Sequence, residues 1–163
     1  MLSGSSQERG RGAPSSGASS FAVVRPFWAG ELSTLRDALL KPSAPKACER
    51  GPLQVDLVLY YAGGANASVD ESLLSLVGEL AKDPCYARVL VKHAGIGRSV
   101  GYPAAPCTQF VDMFTTSTPL WGYDAVYWME LDVRPVKDGW LELILPTMAE
   151  AARGDVWVVG GVY

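Results

Sequence analysis

The chain has 163 residues, 48% of them hydrophobic and 19% charged, enough for one domain with a real hydrophobic core. Its net charge is −3 with no run of basic residues, which excludes the electrostatic footprint of a nucleic-acid binder. No stretch reaches the ~20 apolar residues of a membrane span, and the amino terminus has no apolar signal core, so neither a membrane segment nor a signal peptide is expected.

Residues 1–20 are mostly Ser, Gly, Ala, Arg and Pro, with almost nothing to bury, and predict a disordered tail. One domain is expected over 21–163. The first apolar run, Phe21–Phe27, predicts a strand. Glu31–Leu40 follows as a helix, with Leu32, Leu35 and Leu39 at helical spacing. Lys41–Gly51, with Pro42, Pro45 and Gly51, reads as a connecting loop. Val55–Tyr61 predicts a second strand. Val69–Lys82 predicts a helix with Leu73, Leu76, Val77 and Leu80 on one face, opened by a Ser68/Glu71 capping box. Asn66-Ala67-Ser68 just before it matches an N-glycosylation sequon, which matters only in a secretory lumen.

Arg88–Lys92 predicts a third strand, and His93–Gly101 a glycine-rich loop after it. The glycines are spaced GxGxxxG, and Pro103 and Pro106 follow, so no helix amino terminus is expected there and a dinucleotide site is not. Arg98 in this loop either contacts phosphate or is simply solvated. His93 is the one histidine, and with no nucleophile elbow in the sequence it is read as structural. Thr108–Thr116 predicts a short helix, Ala125–Met129 a strand, and Asp138–Arg153 a helix that Pro146 kinks or divides, with Gly154 as its C′ residue. Val156–Val159 predicts a last strand. The three cysteines, Cys48, Cys85 and Cys107, form no CxxC pair, so zinc is not expected and free buried thiols are preferred to a disulfide framework.

Strands alternating with helices predict an α/β fold, three-layer α/β/α, with a mostly parallel twisted sheet. Ligands of such sheets bind at the carboxyl ends of the strands. The stretch most suited to chemistry there is Glu130-Leu131-Asp132, which directly follows the Ala125–Met129 run. In extended chain the two acids share one face, where they can hold a hard divalent cation, Mg²⁺ or Mn²⁺. The competing reading has Asp132 capping a turn and Glu130 paired with Arg134 or Lys137.

Tyr127–Leu141 resembles the GT-A type glycosyltransferases, the nucleotide-diphospho-sugar transferase fold, in which a strand runs into a DxD-like acidic motif, a turn and a helix. The resemblance implies that Asp132 holds Mn²⁺ or Mg²⁺ on the donor diphosphate and that Glu130 supports the sugar or the metal shell. Val23–Phe27 resembles the first strand of that fold, so Arg25 and Pro26 are expected near the nucleotide, with Arg98 as a further phosphate contact. Val156–Val159 with Gly160 and Gly161 resembles the strand entering the substrate cleft. The implied function is glycosyl transfer from a nucleoside-diphosphate sugar. The family carries more chain after this strand, supplying the acceptor pocket, so the domain is expected to be partial on its acceptor side, with the Golgi lumen as the location the family suggests. The alternatives are a non-catalytic or vestigial copy of the fold that binds a partner, and a nucleotidyltransferase. The latter ranks lower because Arg25–Gly30 lacks a glycine-rich basic loop.

Overall fold

The computed structural model describes residues 20–97, 99–101, 104–115 and 122–154. In chain order the elements are β1 (Phe21–Phe27), a 3₁₀ turn (Ala29–Glu31), α1 (Leu32–Leu40), β2 (Val55–Tyr61), α2 (Ala67–Leu80), β3 (Arg88–His93), α3 (Ala104–Thr115), β4 (Ala125–Trp128) and α4 (Trp140–Arg153). The expected strand at Val156–Val159, like Gly160, Gly161 and Arg98, lies outside the described residues. Of the expected tail, Ser20 is part of the fold. Its amide donates to Asp124 Oδ2 at 2.6 Å and its carbonyl accepts from the Asp124 amide at 2.8 Å.

The four strands form one parallel sheet in the order β3-β2-β1-β4. β2 is buried along its whole length, which is why, apart from Asp56, it reads as a continuous apolar run rather than an alternating one. Alternation along the strands separates two cores. Val23 and Phe27 of β1 and Leu57 and Leu59 of β2 pack with Leu35 of α1, Leu73, Leu76 and Leu80 of α2, and Leu141 of α4. Ala22, Val24, Val58 and Tyr60 point the other way and pack with Met113 of α3. Truncating a fully buried leucine such as Leu73 to alanine costs about 2–5 kcal/mol in transfer and cavity terms.

Several local expectations are corrected. The α2 cap is Asn66, not Ser68: Asn66 Oδ1 accepts from the Ser68 and Val69 amides, and the Asp70 carboxylate accepts from the Asn66 amide at 3.1 Å. A helix does open after the glycine-rich loop. α3 begins at Ala104, and Pro106 sits in its first turn, where a missing N–H breaks no helical bond. α4 runs as one helix through Pro146, and Gly154 is its C-cap at φ −93° rather than a left-handed C′ glycine. Cys48 and Cys85 form a disulfide, and the free thiol, Cys107, is exposed rather than buried.

Two of the buried polar residues, Asp56 and Gln109, are tied down by hydrogen bonds. Asp56 on β2 accepts from Arg88 on β3 and from the Tyr123 hydroxyl. Burial acts to raise the Asp56 pKa, but the hydrogen bonds from Arg88 and Tyr123 and the Arg88 charge outweigh it and hold the carboxyl below its ordinary value. The Tyr123 hydroxyl is pushed up to about 12 by burial and by its bond to Asp56. Gln109 of α3 is buried and donates to the Tyr60 carbonyl at 2.7 Å, while the Tyr60 hydroxyl bonds Asp112, fixing α3 on its face of the sheet.

Candidate functional site

The strand order reverses at β1. The chain builds outward from β1 to β2 and β3, then returns to lay β4 on the other side of β1. In open α/β sheets the crevice at such a switch, at the carboxyl ends of the strands, is where ligands bind. Here the switch point, where the rule puts such a crevice, lies between the ends of β1 and β4.

Pro26 explains why it opens where it does. The Val24 carbonyl faces β4, accepting from the Met129 amide at 2.9 Å, and the Phe27 carbonyl faces β2, accepting from Ala62 at 2.9 Å. Sides alternate along a strand, so the Pro26 nitrogen also faces β4. It has no N–H to give, and the β1–β4 ladder ends at the Val24–Trp128 pair just before it. β4 therefore stops at Trp128 rather than Met129.

Beyond β4 the chain turns. The Val133 amide donates to the Glu130 carbonyl at 3.1 Å, closing a turn with Leu131 and Asp132 in the middle. Leu131 is buried in the first core and both acids are exposed. The extended alternation expected to align Glu130 with Asp132 thus does not run past Glu130. Glu130 Oε1 accepts from the Trp128 indole at 3.3 Å. The expected alternative pairing with Arg134 or Lys137 is not formed: among the described residues neither acid is in an ion pair. On the β1 side, the Glu31 carboxylate accepts from the Trp28 amide at 2.9 Å and closes the turn leaving the strand.

Glu130 and Asp132 are the exposed carboxylates here that could serve a Mg²⁺ or Mn²⁺ ion, with phosphate and water oxygens completing its shell. An all-protein cage is not formed, since no group of three or more His, Cys, Asp or Glu side chains comes together among the described residues.

Arg25 forms no ion pair with either acid among the described residues, although the Asp132 charge reaches it. It sits on the face of β1 shared with Val23 and Phe27, 3% exposed. Its Nη1 donates to the Val133 carbonyl at 3.4 Å, a long bond, and its buried Nε has no partner among the described residues. Burial lowers the Arg25 pKa, against the opposing effects of Tyr86, Tyr127 and Asp132; Arg134 adds to the lowering. Arg25 forms the floor of a cavity of about 370 Å³ walled by Lys41, Tyr86, Arg134 and Trp140, with Asp37 on its α1 side. Neither Glu130 nor Asp132 lines it.

His93, at the end of β3, has its Nε2 3.6 Å from Asp70 Oδ1 and its ring edge-on to Tyr61. It stands on the β2–β3 side of the sheet, away from the acids. Sequence reasoning missed the cavity, because its walls come from α1, the Ser43–Pro45 connection and residues 133–140, which only the fold brings together. The usable signal was an arginine inside an otherwise apolar central strand.

The chain is therefore an α/β protein with a parallel sheet whose strand order reverses at β1, and two exposed acids follow the strand laid beside it. Comparisons with family models, curated proteins and solved structures find no match.

Proposed function

We propose that the chain is a donor-binding domain of GT-A type, taking a nucleoside-diphosphate sugar in the β1–β4 crevice. The finer three-layer α/β/α reading belongs to the same proposal. What carries it is the placement of Glu130 and Asp132. They follow the strand that neighbours β1 at the switch point, exposed and free of ion pairs among the described residues.

In this reading Asp132 and Glu130 hold Mn²⁺ or Mg²⁺. Bound there, the ion supplies Lewis-acid neutralisation of the charge that develops on the departing diphosphate. The protein's own part is positional. Pro26 ends the β1–β4 ladder and opens the crevice. Arg25, through the Val133 carbonyl, restrains the end of the turn on which Asp132 sits. The Trp128 indole orients Glu130. The Cys48–Cys85 bridge fits an oxidising lumen, the compartment in which structural disulfides persist.

Calorimetry with Mn²⁺ and nucleoside diphosphates tests this. Asp132→Ala is expected to abolish metal-dependent binding, and Glu130→Gln to weaken it less. Equal binding by the parent and Asp132→Ala would refute the assignment.

A further inference from the structure

The cavity over Arg25 is not accounted for by that donor site. A guanidinium carries five N–H donors and stays charged, so burying it is costly unless its donors and charge are met. Arg25 is almost wholly buried, yet among the described residues its one hydrogen bond is the long one to Val133, and Nε is left without a partner. Arg134 and Lys41 line the same cavity, so among the described residues three cations and one acid, Asp37, line it, and the Asp132 charge also reaches Arg25. The remaining wall is apolar or aromatic: Met129, Pro135, Trp140 and Tyr86. Burial and the Asp83 charge push the Tyr86 hydroxyl well up, against the opposing pull of Arg25, so it stays a neutral hydrogen-bonding group.

We infer that this cavity is a binding site for a small organic oxyanion, a phosphate ester or a carboxylate. The anion lies against Arg25, Arg134 and Lys41 and its body against Trp140 and Met129. Arginine forks match both oxyanions, and compensation of a buried, under-bonded cation is the driving force. At about 370 Å³ the space exceeds what inorganic phosphate fills and falls at the lower end of small-molecule pockets. The site needs no metal, because the acids proposed to hold one lie outside it.

Calorimetry in EDTA on the whole chain tests this with phenyl phosphate and benzoate as the two oxyanion probes. Phenol serves as the neutral body and inorganic phosphate as the bare anion. At least one oxyanion probe is expected to bind tenfold or more tighter than both phenol and inorganic phosphate, and which one it is identifies the source. Lys41→Ala with Arg134→Ala, both surface-accessible changes, is expected to weaken that binding at least tenfold. Arg25→Met is expected to remove it, and circular dichroism reports whether that variant folds. Asp132→Ala is expected to leave metal-free binding intact or tighten it, since it removes a negative charge that acts on Arg25. Binding of neither oxyanion, equal binding of phenol, or unchanged binding in the Lys41/Arg134 double variant overturns the inference. Loss of metal-dependent nucleotide binding alone would count against the donor site and not against this one.

Discussion

The Cys48–Cys85 disulfide closes a loop of sequence separation 37, linking the connection that enters β2 to the one that enters β3. The chain-entropy relation for a loop of that length gives about 4 kcal/mol of stabilisation through the unfolded state. With a urea m-value of about 2 kcal/mol/M, typical of a domain this size, losing the bridge should lower the unfolding midpoint by about 2 M. The assay is urea unfolding of the oxidised chain against Cys48→Ala/Cys85→Ala, followed by fluorescence and circular dichroism. The bridge also bears on the second site. The Lys46 and Ala47 carbonyls, next to Cys48, accept from the Gly139 and Leu141 amides at 3.0 Å each and so anchor the start of α4, where Trp140 walls the cavity. In the variant, the Leu141 amide should lose hydrogen-exchange protection more than amides in the middle of β2. A thiol titration gives an independent reading: the native chain should present one thiol, Cys107, and the reduced, unfolded chain three. Three native thiols, or a midpoint shift under about 0.5 M, would refute the reasoning.

Other consequences follow from single contacts. Asp56 has a folded pKa below its ordinary value, so its contribution is full above the unfolded pKa of about 3.9 and is lost as pH falls through the lower folded value. Asp56→Asn should therefore destabilise the protein at pH 7, with the gap to the parent closing below about pH 4 in acid titrations of unfolding. Asn66→Ala removes the α2 cap and should cost about 1 kcal/mol by denaturant unfolding, whereas Ser68→Ala should cost less. Gly139 is left-handed at φ 67°, and a Cβ there would stand 3.3 Å from the Glu49 side chain. Gly139→Ala should cost about 1–2 kcal/mol in the same measurement.

β1 and β2 were legible because burial on both faces leaves apolar runs interrupted only by Arg25 and Asp56, and the bounds read for them agree with those observed. What failed depended on context beyond the local pattern. Residues 66–71 read Asn-Ala-Ser-Val-Asp-Glu, which offers more than one capping pattern, and the point where the chain leaves β2 selects Asn66. Pro106 was read as a barrier to a helix start, yet it falls in the one turn that tolerates it. The disulfide was unreadable until β2 and β3 were known to be neighbours, since only then do Cys48 and Cys85 lie at the same end of the sheet. Glu130 and Asp132 were legible as an acid couple after a strand, but not the turn that separates them from extended geometry.

Arg25 and Pro26 show how far a one-residue difference matters. The sequence assigns them a shared role at the end of the first strand, but alternation along β1 splits them. Pro26 acts through its backbone on the β4 side and ends the ladder where the crevice begins. Arg25 acts through its side chain on the face beneath α1 and the residues 133–135. In the turn closed between Glu130 and Val133, Asp132 is a central residue and exposed, while Arg25 donates to the turn's last carbonyl and Arg134 continues into the cavity wall. Among the described residues no ion pair joins these acids to these cations, although they lie within a few residues of chain and the Asp132 charge reaches Arg25. That absence of pairing is what two proposed sites of opposite preference, one for a divalent cation and one for an oxyanion, would require.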